Sequence, residues 1–113
     1  MSDDDWAYRQ IGGGSVATFG GQFAVRCLTG RRIALSRTGA AGNALTVRTS
    51  DGARSLPAAT GPDGLAATLD AADPLLDAMV FSRGRFAVEA AGATLLILPA
   101  WPEPARVVED CRG

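Results

Sequence analysis

Two arginines separated by a single glycine, Arg83 and Arg85, are the side chains in this sequence best suited to hold an anion. A guanidinium group binds a carboxylate or a phosphate through several N–H donors at once. Glu89 and Trp101 add a carboxylate and an aromatic ring nearby in the chain, and the four residues form the candidate ligand-binding set. The competing interpretation is structural: Arg83 interacts with the last carbonyls of a helix, and Arg85 faces solvent on a strand.

Composition excludes several kinds of catalytic site. The eleven basic residues are all arginine, and there is no histidine. The chain therefore lacks the residues for a Ser-His-Asp triad, a histidine-ligated zinc ion, a Schiff-base lysine or a P-loop lysine. We expect no enzymatic activity, no cofactor and no metal site.

The carboxylates show no spacing typical of an acid and base pair. Glu89, Glu103, Glu109 and Asp110 are the candidates in the C-terminal part of the chain, and hydrolysis of a glycoside requires two that face one bond. Glu109 and Asp110 lie three and four residues after Arg106, a spacing that predicts charge pairing on a helix surface. A minimal hydrolase built on Arg83, Arg85 and Glu89 is the least favoured alternative.

The run of three glycines before Ser15 has two interpretations. It could cradle a phosphate, but such loops follow a strand and open a helix. Here the run joins two strand-like segments, so a flexible turn is favoured.

Length and charge indicate one small domain, residues 1–113, with a modest core. The chain has 113 residues, 47% of them hydrophobic, and a formal net charge of −1. That charge balance gives no sign of a nucleic-acid-binding surface. The uncharged stretch over residues 90–102 is shorter than the about 20 apolar residues of a membrane-spanning helix. No membrane span is predicted. The partner is unidentified, and a protein is one candidate. The oligomeric state is left open.

The elements that must position these side chains are mainly strands. Short alternating segments separated by glycine-containing turns predict a mainly β fold, a small antiparallel β-sandwich or barrel of seven to nine strands. Residues 54–58 read as an edge or strand end because of Pro57. Residues 94–98 form a continuous apolar run, which predicts a central strand buried on both faces.

Two short helices complete the predicted elements. Asp73 before Pro74 is typical of an N-cap followed by proline in the first turn, and predicts an internal helix over residues 74–82. A C-terminal helix is predicted over residues 102–111. Trp101, between two prolines, is expected to plug one end of the core. The predicted core residues are Phe23, Val25, Ile33, Leu35, Leu45, Val47, Leu76, Phe86, Val88, Leu96, Leu98, Trp101 and Val107.

Cys27 and Cys111 are the two cysteines, and we expect a disulfide between them. Cys27 shares the inward face of its strand with Phe23 and Val25. Cys111 lies on the apolar stripe of the last helix with Val107, so both sulfurs should point into the same core. The alternative is two buried free thiols in a cytoplasmic protein.

Four segments of the C-terminal half form one pattern: DPLLDA at 73–78, FSRGRFAV at 81–88, LILPAW at 96–101 and RVVEDC at 106–111. With these segments the chain resembles small uncharacterised exported proteins of alphaproteobacteria, particularly those of sphingomonads, over residues 65–112, with some support at residues 22–37. It is similar more distantly, in the order of its elements, to the invasion-associated locus B proteins. This resemblance implies a periplasmic β-rich module and carries over no functional residues.

Two hypotheses about compartment and function remain open. The acidic N-terminal residues fit either a cytoplasmic protein or a mature exported domain whose leader was removed. The favoured function is a non-catalytic exported (periplasmic or secreted) interaction or structural module, and the alternative is a small-ligand or anion-binding β-barrel. A concave pocket lined by Arg83, Arg85, Trp101 and a buried carboxylate would favour ligand binding, and a closed core would favour the interaction module.

Overall fold

The fold is a two-sheet antiparallel β-sandwich with two short helices, as described by a computed structural model covering residues 5–12 and 14–113. The prediction of a mainly β sandwich is confirmed. The elements described are β1 Trp6–Ile11, β2 Gly14–Phe19, β3 Phe23–Leu28, β4 Arg32–Arg37, β5 Ala41–Thr49, β6 Gly52–Pro57, β7 Ala59–Gly61, β8 Gly64–Asp70, α1 Pro74–Val80, β9 Arg85–Ala91, β10 Leu96–Pro99 and α2 Pro102–Arg112.

The strands form a six-stranded and a four-stranded sheet, called here the first and second sheets. The first has the order β1-β2-β3-β4-β8-β7, and the second has the order β10-β9-β5-β6. Within the described residues there are ten strands, one more than the upper limit predicted, because Ala59–Gly61 pairs with the start of β8. As predicted, the segment with Pro57 is an edge strand, β6.

The core lies between the two sheets and beneath α2. The alternation in β3 and β4 sends Val25, Ile33 and Leu35 inward, where they have no exposed surface. Four aromatic rings fill one end, with neighbouring ring centroids 5.4 to 6.4 Å apart: Trp6, Phe19, Phe23 and Phe86. The helix α2 packs on β1, β2 and β3 and buries Val107 and Val108.

Trp101 is the one predicted core residue that the structure places outside the core. Its side chain is 40% exposed, and Trp6 fills the end of the core instead, 6% exposed. The indole N–H of Trp6 donates to the carbonyl of Pro99 at 2.8 Å, so Trp6 satisfies its polar atom while the ring is buried. Trp101 is the N-cap of α2, and this position turns its side chain towards solvent.

The predicted central position of residues 94–98 is wrong. β10 is an edge strand of the second sheet, and Leu95 and Ile97 are each 52% exposed. Leu96 and Leu98 alternate with them and are buried. The exposed and the buried side chains of this segment are all apolar. The sequence therefore shows no alternation of polar and apolar residues that would reveal which side chains face solvent.

Both helices begin as predicted. The Asp73 side chain accepts a hydrogen bond from Leu75 N at 2.9 Å and caps α1. The α2 helix is fastened to α1 by Arg112, whose guanidinium donates to both carboxylate oxygens of Asp77 at 2.9 and 3.2 Å. Neither helix has the length and apolar composition needed to cross a bilayer.

The sulfur atoms of Cys27 and Cys111 lie 2.15 Å apart, with their Cα atoms at 5.5 Å. This is the disulfide geometry expected from the inward faces of β3 and α2. The bond joins the C-terminal helix to a central strand of the first sheet, across a sequence separation of 84.

Candidate functional site

The candidate site is the solvent face of the second sheet. Strand alternation places Arg85, Ala87 and Glu89 of β9 on this face, while Phe86 and Val88 point into the core. The register aligns Ile97, Ala87 and Arg48 in one row across β10, β9 and β5. An exposed branched apolar side chain and a guanidinium group thus lie either side of a small alanine.

Three arginines surround a shallow depression of about 280 Å³ on this face. Arg83 and Arg85, two of the candidate ligand-binding residues, line it, and Arg48 joins them from β5. Ile97 and the Ser50 turn complete the lining. Arg83 is anchored through its backbone N–H, which donates to the Ser50 hydroxyl at 2.8 Å.

Two of these three guanidinium groups have no carboxylate partner among the residues that the structure describes. Arg48 pairs with Glu89, and this contact raises the pKa of Arg48 above its ordinary value through hydrogen bonding and charge. Arg83 and Arg85 form no ion pair within the described part of the chain. Their positive charge is therefore directed to solvent.

The structure separates the predicted set of four residues. Glu89 lines a different depression, of about 300 Å³, beside the β-bulge of β5, and its carboxylate is held by Arg48. Trp101 lines neither depression. The lining around Arg83 and Arg85 contains no carboxylate, so the concave pocket that would favour ligand binding is not formed by these four residues.

Several large apolar side chains that lie close in sequence to Arg83 and Arg85 are exposed to solvent. Among the described residues, the large hydrophobic side chains that are exposed all belong to residues 81–101: Phe81 at 73%, Leu95 and Ile97 at 52% each, and Trp101 at 40%. Ile97 lines the same depression as Arg83 and Arg85. Arg48 was missed from the sequence because only the long-range pairing of β5 with β9 brings it here.

A second polar cluster lies on the opposite side, where α2 meets β1 and β2. Tyr8 and Ser15 both donate their hydroxyl hydrogens to one carboxylate oxygen of Asp110, the Ser15 contact at 3.0 Å. The predicted pairing of Arg106 with Glu109 and Asp110 is wrong, because Arg106 lies over the Tyr8 ring, 4.4 Å from its centroid. The cluster borders a depression of about 550 Å³, and its hydroxyls are already engaged.

The glycine run before Ser15 lies at the turn between β1 and β2, where Gly14 begins β2. Gly12 lies in the turn, as the turn interpretation expects, Gly14 is already paired as a strand residue, and Gly13 lies outside the described residues. The run leads directly into strand β2 and not into a helix, so the helix N-terminus of a phosphate loop is not formed there.

The core contains a buried cationic side chain, that of Arg37, which the sequence did not reveal. Arg37 ends the inward-facing series of β4 and is only 7% exposed. Its guanidinium donates to the carbonyls of Gln22, Thr38 and Thr94 at 3.4, 2.9 and 3.2 Å, and no described carboxylate pairs with it. The group joins β4 to the turn of the β9–β10 hairpin and so helps to hold that hairpin in place.

Comparison of the chain with known proteins found no matching family model, no matching curated protein and no matching solved structure. Within the described residues, no group of three or more potential metal-ligating side chains is present.

Proposed function

We propose that this chain is a non-catalytic interaction module that binds a partner protein through the solvent face of the second sheet. The observation that carries this proposal is the pair Arg83 and Arg85, unneutralised within the described chain, beside the exposed side chain of Ile97. Arginine is enriched at protein interfaces, and exposed apolar patches rimmed by polar groups mark interaction surfaces. A shallow, open depression suits a protein surface better than a small molecule, which binds in a concave pocket.

A site-specific crosslinking experiment tests this function. A photo-reactive phenylalanine analogue replaces Ile97 in the native organism, and the matched control carries it at Thr68, an exposed position on the solvent face of the first sheet. We expect a covalent adduct to another protein from position 97 and none from position 68. Equal labelling at both positions, or none at either, would contradict the proposal.

We further propose that the module works in an oxidising compartment, the periplasm of a bacterium or the extracellular space. The cysteine pair at bonding distance supports this, because disulfides persist mainly outside the cytoplasm. The resemblance to small exported alphaproteobacterial proteins points the same way. Release of the native protein by osmotic shock, with both thiols unreactive to maleimide before reduction, is the expected result. A cytoplasmic protein with two reactive thiols would contradict it.

A small-anion receptor is the second candidate. Its support is that three arginines line one depression of about 280 Å³. Titration with inorganic phosphate and with sulfate, followed by the side-chain Nε–Hε signals of Arg83 and Arg85, tests it. Saturable shifts that vanish in Arg83→Ala would favour this candidate over the protein-binding module.

A further inference from the structure

We infer that the partner presents a short, extended acidic segment, which pairs as an additional strand with the free edge of β10. This inference rests on the interaction function proposed above and specifies the chemistry of the partner. It is carried by the backbone orientation of β10, by the exposed side chain of Ile97 and by the position of Arg85.

The hairpin register fixes which backbone groups of β10 point away from β9. Pro99 is opposite Arg85, so Ala100 is opposite Gly84, and Ala100 N donates to Gly84 O at 3.0 Å. In an antiparallel ladder, hydrogen-bonded pairs alternate with pairs that are not hydrogen-bonded. The N–H and C=O of Ile97 therefore point to the free edge, as does the C=O of Pro99.

An independent contact supports this orientation. The Pro99 carbonyl accepts the indole N–H of Trp6 at 2.8 Å, from the side away from β9. That bond occupies the edge at Pro99, which as a proline has no N–H to offer. The backbone groups open to an incoming strand are thus centred on Ile97, where one N–H and one C=O are presented together.

The same residue supplies an apolar contact. The Ile97 side chain is 52% exposed on the solvent face and has the small Ala87 as its neighbour on β9. A branched apolar side chain opposite Ile97 on an incoming strand would cover this surface, since cross-strand pairs have Cβ atoms about 5 Å apart.

Charge then selects an acidic partner. Because Trp6 occupies the edge at Pro99, the incoming chain pairs at Ile97 and leaves the ladder beyond it, and its next residue on the solvent face lies two strand spacings, about 10 Å, from Arg85. An extended arginine side chain passing over the proline ring can span that distance to a carboxylate. Residues on one face of a strand are two positions apart, so the segment should read acidic residue, any residue, branched apolar residue.

A sulfated polysaccharide or a second copy of the chain are the other occupants to consider. A polysaccharide would use the arginines but would leave the Ile97 backbone groups and side chain unpaired. A second copy would bring its own uncompensated Arg83 and Arg85 to the contact. An acidic strand matches both the edge and the charge.

Peptide titration of the ¹⁵N-labelled full chain tests the inference. The probe is the acetylated and amidated peptide Thr-Glu-Thr-Val-Thr-Glu-Thr, which is symmetric in pattern and so fits either strand direction. Its control has lysine in place of both glutamates. We expect the Ile97 amide to shift and its hydrogen exchange to slow at saturation, and the lysine peptide to bind at least tenfold more weakly.

Two pairs of variants separate backbone pairing from charge. Ile97→Pro and Ile97→Ala both shorten the side chain, but proline alone deletes the N–H at the free edge, where proline is tolerated. Ile97→Pro should abolish peptide binding, while Ile97→Ala should only weaken it. Arg85→Glu should weaken binding at least tenfold, and the matched reversal Arg9→Glu, on the solvent face of the first sheet, should not.

The outcomes distinguish the inference from the proposed function. Peptide binding with no protection of Ile97, or equal binding by the proline and alanine variants, would overturn strand pairing. A crosslink at position 97 without binding of the acidic peptide would overturn the inference and leave the interaction function standing. Tighter binding of heparin than of the peptide, or concentration-dependent protection of Ile97 in the protein alone, would overturn it in favour of a polysaccharide or a second copy.

Discussion

Removing the disulfide should cost this domain a large part of its stability. The perturbation is the double variant Cys27→Ser and Cys111→Ser, compared with the oxidised parent chain. The bond closes a loop with a sequence separation of 84, which includes α1, the whole second sheet and strands β4, β7 and β8 of the first sheet. Without it, the unfolded chain gains the conformational freedom of that loop.

The expected magnitude follows from the loop length. For a separation of 84, the chain-entropy relation gives about 4.6 kcal/mol at 25 °C. A chain of 113 residues has an unfolding entropy of about 0.24 kcal/mol/K near 60 °C. The loss therefore corresponds to a fall in Tm of about 20 °C.

Calorimetry of the oxidised parent and the double variant measures this fall, with hydrogen exchange as a local readout. We expect the amides of α2 to exchange faster in the variant than those of β4, because α2 then depends on packing, on the Asp110 cluster and on the Arg112 contacts. A fall in Tm below about 5 °C, with α2 still protected, would refute the argument that loop closure stabilises the domain. Labelling of two thiols in the unfolded, unreduced parent chain would refute the bond itself.

Three further predictions concern the core and the cap of α1. Phe86→Ala should destabilise the fold by about 3–5 kcal/mol in urea unfolding, because the ring is 2% exposed and contacts Trp6 and Phe23. Ile97→Ala, at an exposed position, should cost less than about 1 kcal/mol. Similar losses at the two sites would contradict the burial described. Hydrogen bonds from Arg54 hold the pKa of Asp73 below its ordinary value. The stabilisation of the fold by this carboxylate is therefore complete above the unfolded-state pKa of about 3.9, and it is lost as the pH falls through the folded-state pKa. Asp73→Asn should thus reduce the unfolding free energy at pH 7 and converge with the parent chain at low pH, and a constant difference would contradict the assignment. Trp101→Phe should leave a blue-shifted fluorescence poorly quenched by acrylamide, and Trp6→Phe should leave a red-shifted, well-quenched signal; the reverse would restore Trp101 to the core.

Local patterns predicted the parts of the fold that local physics determines. Period-two alternation in β3 and β4 identified Val25, Ile33 and Leu35 as core residues because a strand must turn alternate side chains to opposite faces. The start of α1 was predicted because Asp73 before Pro74 satisfies an orphan N–H and presets the first helical turn. The inward face of Cys27 predicted its bond to Cys111 for the same reason.

Long-range pairing accounts for what the sequence did not reveal. Whether an apolar strand is central or at an edge depends on which other strands lie beside it, so residues 94–98 looked buried although β10 has only β9 as a neighbour. Trp6 follows three aspartates and Trp101 follows an apolar run, so the local context favoured the wrong tryptophan, and only the assembled sheets decide which one enters the core. Arg48 joined the candidate site through the pairing of β5 with β9, which no local spacing encodes.

The architecture separates the structures that stabilise the domain from the surface available to a partner. The disulfide, the Asp110 cluster and the Arg112 contacts all involve α2, which packs on the first sheet and on α1. The exposed large apolar residues described belong to residues 81–101, around the hairpin of the second sheet. Because β10 is short and has its Pro99 carbonyl occupied by Trp6, its open edge is limited to the region around Ile97. Such an edge is too short to recruit strands indiscriminately, and under the proposed interaction function the arginines beside it select the partner.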